Sequence, residues 1–349
     1  MSKQKKNTGT STPTCVGTGL VALDVIMNGD PSNLLKIHAG GSCGNVLSIL
    51  TFLGWDSYPI ARLKDNSAAK ELLSDLKKCK VRTKMVTTTG DGSTPIIIQR
   101  IKKDRHGNYV HRFEFKNPEN GEYLPSYKPV LGANVENIVK KQPEARVYYF
   151  DRSNRASIDF AKYYKEQGAL IYFEPSSARD LRLFEESVAV ADVVKFSGDR
   201  ITNYSELYPT QKAPLEIETL GKEGMRFRFS HNCNKREWIY LRGYNISNLA
   251  DAAGAGDWTS AGIISKIGKT GFKGFHKLTI ENIKAALEHG QALGALNCLF
   301  DGARGLMYAC EKGSLDGMVK AIITGNNASI KSTNNLKITG KKLTIGSLY

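Results

Sequence analysis

Asp251-Ala252-Ala253-Gly254-Ala255-Gly256-Asp257, running straight into Trp258-Thr259-Ser260-Ala261-Gly262-Ile263-Ile264, is the stretch on which the reading of this chain turns. Its small residues make a turn, the segment after it is helical, and a carboxylate falls at the first helical positions. Gly254 and Gly256 permit backbone angles closed to other residues. The unpaired N–H groups of a helix start face forward and favour negative charge. Asp257 beside such an anion pocket is placed to take a proton from an attacking hydroxyl, while the amides stabilise charge on a transferred phosphoryl group. A helix-capping Asp would look the same, so a second element has to decide.

That element is Gly40-Gly41-Ser42-Cys43-Gly44-Asn45, which leads into an apolar-periodic run with Val46, Leu47, Leu50 and Leu53 at helical spacing, ended by Gly54. Upstream, Gly17-Thr18-Gly19-Leu20-Val21-Ala22-Leu23-Asp24 reads as a buried strand ending in a carboxylate. With the Gly-Gly-x-x-x-Asn stretch at 40–45 and the Asp-x-x-Gly-Ala-Gly-Asp stretch at 251–257 in this order, the chain resembles the ribokinase-type carbohydrate kinases, the phosphofructokinase-B family, over most of residues 14 to 325.

The resemblance implies an ATP-dependent sugar kinase with Asp257 as base and the amides of Ala253, Gly254, Ala255 and Gly256 as the anion hole for the γ-phosphate. It places Asp24, Gly41 and Asn45 on sugar hydroxyls, since a carboxylate and a carboxamide offer paired acceptors and donors. Asp251 matches a position that helps hold a monovalent cation such as K⁺. Lys195-Phe196-Ser197-Gly198-Asp199-Arg200 stands where the family has Lys-x-Asn-x-x-Glu, with Ser197 for the Asn and Arg200 for the Glu. Those two usual residues help order Mg²⁺, so the metal arrangement departs here, and Asp199, one residue out of register, is the substitute on offer. Thr219-Leu220-Gly221-Lys222-Glu223-Gly224 matches a turn lying against the nucleotide. A plain hairpin turn explains the same letters. Glu174-Pro175-Ser176-Ser177-Ala178-Arg179 is a weaker match to a family turn. The small-residue helix Gly290–Asn297 would pack near adenine or be simply buried, and the loop Asp301-Gly302-Ala303-Arg304-Gly305 would complete a cation site. Arg100, Arg112, Arg152 and Arg155 are candidates to meet a sugar phosphate, although surface arginines are common.

Composition bounds the rest. The chain has 349 residues and 41% hydrophobic content, ordinary for a soluble globular protein. No apolar run approaches the roughly 20 residues of a membrane helix, and the polar, basic Met1–Thr14 is unlike a cleaved signal, so a cytoplasmic protein is expected. Six cysteines form no Cys-x-x-Cys pair, which reads as reduced thiols rather than disulfides or zinc. The net charge is +15, but Lys3, Lys5, Lys6, Lys331, Lys337, Lys341 and Lys342 sit in two end segments without acidic residues, leaving +8 over the body. That suits anionic nucleotides, and no helix-turn-helix, zinc-finger or RNA-binding signature accompanies it. Neither nucleic acid nor membrane is an expected partner.

Strand-like and helix-like segments alternate, which predicts an α/β fold with a doubly wound, mainly parallel sheet over residues 14–87 and 130–325, ligands sitting at the carboxyl ends of its strands. Predicted strands are Ser57–Leu63, Arg146–Asp151 and Ala169–Phe173; predicted helices are Ser67–Lys80, Ile158–Glu166 and Asp180–Val190. The rhythm breaks at 88–129, where Thr94–Ile101 and Tyr109–Phe115 alternate as two antiparallel strands. With part of 25–40 they form a small β lid, which by the resemblance covers the sugar, excludes water and pairs two subunits into a homodimer. Residues 326–349 are a basic tail or a hairpin of Leu336–Thr339 with Leu343–Ile345. Two near-motifs are coincidental: the glycines at 17 and 19 precede a strand rather than follow one, and Gly262–Thr270 is one residue too long for a P-loop and lies at the far end of a helix. A non-catalytic sugar or nucleotide sensor on the same fold is the rival reading.

Overall fold

The computed structural model describes residues 11–27, 36–103, 109–140, 143–246, 249–326 and 344–349. The strands are β1 (Thr14–Thr18), β2 (Ala22–Met27), β3 (Lys36–Gly40), β4 (Asp56–Lys64), β5 (Val86–Thr89), β6 (Ile96–Lys103), β7 (Tyr109–Glu114), β8 (Val147–Phe150), β9 (Leu170–Phe173), β10 (Val193–Ser197), β11 (Leu215–Thr219), β12 (Gly224–Phe229) and β13 (Ile239–Arg242). The helices are α1 (Ser42–Phe52), α2 (Ser67–Lys78), α3 (Val135–Val139), α4 (Arg155–Glu166), α5 (Leu181–Val190), α6 (Tyr204–Leu207), α7 (Ala255–Ile267), α8 (Gly271–Phe275), α9 (Ile280–Asn297), α10 (Gly305–Ala309) and α11 (Lys312–Ile323). Asn66, Asn154 and Asp180 cap α2, α4 and α5 by accepting from Ala69, Ser157 and Leu183 N–H groups.

The large sheet runs β13-β12-β11-β10-β9-β8-β1-β4-β5, parallel except for β12 and β13. Its strands are apolar on both faces because each face carries its own core. Cys15, Val147, Tyr149, Leu170 and Tyr172 join one cluster with Leu47 of α1, Trp258 of α7 and Leu287 of α9. Their neighbours Val16, Tyr148, Phe150, Ile171 and Phe173 join the other with Phe160 of α4 and Phe184 of α5. Alternate residues therefore feed opposite cores, as the strand period requires.

The single strand expected over Gly17–Asp24 is two strands in different sheets. The chain turns at Gly19, whose φ is +140°, and a Cβ there would lie 1.8 Å from Oδ1 of Asp151. The same oxygen accepts the Leu20 N–H at 2.9 Å, which fixes the crossing. β2 then enters a four-stranded sheet of order β3-β2-β6-β7, in which β6 and β7 form the expected antiparallel pair. Residues 104–108 between them lie outside the described residues.

Of the expected C-terminal hairpin, 327–343 lies outside the described residues, and Ile345–Leu348 is a 3₁₀ turn rather than a strand. It is held because Ile345 and Leu348 are buried and the Tyr349 hydroxyl accepts from Asn117 Nδ2 at 2.9 Å.

Gly290, expected beside adenine, sits between α7 and α9. A Cβ there would lie 2.6 Å from both Ile263 Cγ1 and the Thr259 carbonyl, and one on Gly262 would lie 2.7 Å from Gly290 Cα. The near-P-loop letters are thus the buried end of α7 and a close helix crossing. Gly290→Val is expected to destabilise by about 1–3 kcal/mol through overpacking, read as a lowered Tm in thermal unfolding; an unchanged Tm would mean the helices part freely here.

Candidate active site

Gly254 caps α7 in the left-handed region, φ +74°, and a Cβ on it would lie 2.2 Å from the Ala303 carbonyl oxygen. The turn is therefore pressed against the 301–305 loop, which also takes Trp258 Nε1 on the Ala303 carbonyl at 3.2 Å. Within the expected anion hole, the Ala253 N–H donates to Asp251 Oδ1 at 2.8 Å and the Ala255 N–H to the Ala252 carbonyl at 3.3 Å. The Trp258 N–H closes the first helical bond to Gly254. The N–H groups of Ala252, Gly254, Gly256 and Asp257 in this turn have no acceptor among the described residues. Gly254→Ala would force a left-handed alanine into the Ala303 carbonyl at a cost of roughly 1–2 kcal/mol from the backbone alone. A fall of about tenfold or more in kcat is expected, measured against wild type in a steady-state assay.

The second corner meets the first. Gly41 caps α1 at φ +78°, where a Cβ would strike the Leu20 carbonyl at 2.4 Å. Asp151, fully buried at the end of β8, accepts the Cys43 N–H on Oδ2 at 3.1 Å and so ties α1 to the strand ends. One turn into α1, Asn45 Nδ2 donates to Asp257 Oδ2 at 2.8 Å. Burial, and then the nearby Glu174 carboxylate, push the Asp257 carboxyl up to about 8, against which the Asn45 bond and the Lys195 ammonium pull down.

Lys195, expected at the nucleotide, is turned inward with 2% exposure. Its Nζ lies 2.5 Å from Glu174 Oε1 and donates to the Gly256 carbonyl at 3.2 Å. Glu174 Oε2 accepts from Tyr149 OH at 3.0 Å and from Ser260 Oγ at 2.5 Å. The pair thus grips the first turn of α7 from below, at Gly256 and at Ser260. Glu174, which a family-like turn signalled faintly, is the site residue that the sequence underrates.

On the far side of Asn45 a narrow cleft opens between the small sheet and the 301–305 loop, lined by Asp24, Ile26, His38, Gln99, Arg304 and Tyr308 among others. Gln99 Nε2 donates to Asp24 Oδ2 at 3.0 Å. Burial lifts the Asp24 carboxyl to about 7, with Arg304 and then Gln99 opposing. A Cβ on Gly40 would lie 2.1 Å from Asp24 Oδ2, so the glycine makes room for the carboxylate. Sequence reading placed Asp24 and Asn45 but missed His38 and Gln99, although a glutamine closing the run Ile96-Ile97-Ile98 is a readable signal.

Arg100 and Arg152 do not line this cleft. Arg100 pairs with Glu114 across β6 and β7 at 2.6 Å. Arg152 lies over the Tyr127 ring and donates to the Asp151 carbonyl at 2.9 Å.

Ser197 ends β10, and Asp199 is exposed in the turn after it. Thr219 ends β11, and Gly221 (φ +59°) and Gly224 (φ +109°) turn the chain tightly into antiparallel β12, so the motif is also the hairpin that its letters allow. For Mg²⁺ the protein's own donors fit poorly. Arg200 puts a cation where a carboxylate is implied, and among the described residues no group of three or more His, Cys, Asp or Glu is placed to hold a metal. Mg²⁺ carried on nucleotide phosphates with its waters needs no such cage. At the expected monovalent site, Asp251 accepts N–H groups from Ala253 and Gly302, both at 2.8 Å. Asn297 Nδ2 bridges the Ala253 and Gly302 carbonyls at 3.0 and 3.4 Å. A monovalent cation would compete with that amide for the same oxygens.

No protein-family model and no curated protein sequence matches the chain. Solved structures do. A sugar kinase of Pyrococcus horikoshii is 20% identical, with 89% of this chain and 99% of that one covered at a TM-score of 0.65. A fructokinase of Vibrio cholerae, bound to fructose, ADP and calcium, is 17% identical over 88% and 99% at 0.63. A nucleoside kinase of Burkholderia thailandensis in complex with inosine is 16% identical over 88% and 97% at 0.63.

Proposed function

We propose that this chain, which has the ribokinase-like α/β fold with its mainly parallel nine-stranded sheet and smaller second sheet, is an ATP-dependent kinase acting on a hydroxyl of a sugar or sugar-like molecule. The observation that carries the reading is the Asn45–Asp257 hydrogen bond, which joins the two glycine corners at one point. Asp257 takes the acceptor proton as the oxygen attacks the γ-phosphorus and the bond to ADP breaks. The products are ADP, the phosphate ester and a proton on the carboxyl. The open amides of Gly254, Gly256 and Asp257 meet the charge on the transferred group. A base lifted to about 8 is stronger near neutral pH than an ordinary carboxylate. Asp24, Gln99 and Asn45 hold the acceptor; the Ser197–Arg200 and Thr219–Gly224 turns, at the carboxyl ends of β10 and β11, face the nucleotide.

Ser197 and Arg200 support a second reading, a weak or inactive sensor that binds sugar or nucleotide without turnover. A panel of free pentoses, ketohexoses and nucleosides assayed for acceptor-dependent ATP consumption separates the two. Product formation is expected, and binding without consumption would favour the sensor.

The proposal extends to a cytoplasmic homodimer paired through the small sheet. Phe113 and Phe115 are more than half exposed at and just beyond its edge strand β7, an open edge that pairing would cover. No helix among the described residues is long and apolar enough to cross a membrane. Sedimentation of wild type is expected to give a dimer, and Phe113→Glu with Phe115→Glu a monomer.

A further inference from the structure

The acceptor cleft holds three buried polar atoms without a partner among the described residues: Asp24 Oδ1, His38 Nε2 and Asn45 Oδ1. Buried polar atoms are nearly always satisfied, so three lining one cleft point to a ligand. Each can meet a hydroxyl. A carboxylate oxygen and a carboxamide oxygen accept, and Asn45 has already committed its Nδ2 to Asp257. His38 is kept neutral by burial and by Arg304, its pKa lowered to about 4, so its ring offers one acceptor nitrogen and one N–H, either of which a hydroxyl can meet. Asp24 and His38 stand side by side because they are cross-strand partners in β2 and β3, and the His38 ring rests 5.9 Å from that of Tyr308.

Hydroxyl groups complement such a set, whereas a phosphate dianion brings only acceptors. Charge agrees. The carboxyl groups of Asp24, pushed up to about 7 by burial, and of Asp301 line the cleft, and Arg304 is the cation among the described lining residues. Its guanidinium is already engaged, by Asp75 at 2.6 Å, Cys79 at 3.3 Å and Ser48 at 3.4 Å. A phosphate monoester here would shed its water against carboxylates with no unengaged cation to replace it.

We propose that His38 is a specificity-determining residue of the acceptor subsite, holding with Asp24 the hydroxyls of an uncharged polyol, and that the cleft rejects the corresponding phosphate esters. This deepens the kinase reading and rests on it for the reaction, but binding alone tests it. Calorimetric titration without nucleotide would compare fructose, ribose and inosine with fructose 6-phosphate, ribose 5-phosphate and inosine 5′-monophosphate. The expected result is binding of at least one uncharged compound, with its ester at least about tenfold weaker. His38→Leu is expected to raise the Kd of the uncharged ligand about tenfold, and His38→Gln, which restores a hydrogen-bonding group, to recover part of it at an unchanged Tm. An ester that binds as tightly as its parent, failure of all three uncharged probes, or an unchanged Kd in His38→Leu would overturn the proposal. The expected binding pattern without ATP consumption would sustain the acceptor assignment and remove the kinase reading.

Discussion

Asp257→Asn is expected to lower kcat by about 10²- to 10⁴-fold, the range a general base contributes, while acceptor Kd changes little because Asp24, Gln99 and Asn45 remain in place. The same substitution carries a stability signature. The folded-state carboxyl titrates near 8 against an unperturbed 3.8, so the folded protein binds this proton more tightly than the unfolded chain. Its stabilising contribution is complete below the unfolded value and is lost as pH rises from about 4 to about 8. Asparagine imitates the protonated acid. The variant should therefore gain Tm over wild type as pH rises through that window and match it near pH 4. A variant that keeps wild-type turnover would show that another group takes the proton.

Glu174→Ala is expected to cost about 3–5 kcal/mol, because it leaves the Lys195 ammonium buried at 2% exposure with the Gly256 carbonyl as its remaining hydrogen-bond partner among the described residues. On a chain of this size that is a fall in Tm on the order of 10 °C. Activity should fall further than stability explains, since Tyr149 and Ser260 lose their acceptor and the α7 turn loses its grip at Ser260. Combining Glu174→Ala with Lys195→Met should restore much of the Tm without the activity, because an apolar pair leaves no orphan charge. If Glu174→Ala melts with wild type, the ion pair is not what seats the turn.

The two corners were legible because each confines its chemistry to a few letters. Glycines at fixed offsets permit the left-handed caps, and Asn45 and Asp257 follow within one turn, so local sequence nearly dictates the geometry. The alternation of strands and helices was legible for the same reason. Lys195 was not. Its partner Glu174 lies 21 residues upstream, and only the β9–β10 register, in which Phe173 faces Val194, brings the next residues together. His38 depends on antiparallel pairing with Asp24 in a second sheet that the reading of Gly17–Asp24 as one strand concealed. Gly290 stands where a ligand-facing glycine and a closely packed helix crossing ask for the same residue, and the hydrogen bonds of Asp251 and Asn297 tie the 251–257 turn to the 301–305 loop, a tertiary pairing that local letters do not spell out.

The pH dependence of kcat/KM for the acceptor tests most directly the claim that one buried aspartate, shared between the two corners, is the base. Wild type should lose activity as pH falls along a limb near 8, because kcat/KM reports the free enzyme. Glu174→Gln, by removing the neighbouring negative charge, should move that limb to lower pH, and Asp257→Asn should abolish it. A wild-type profile flat from pH 6 to 9, or a limb that persists in Asp257→Asn, would contradict the account.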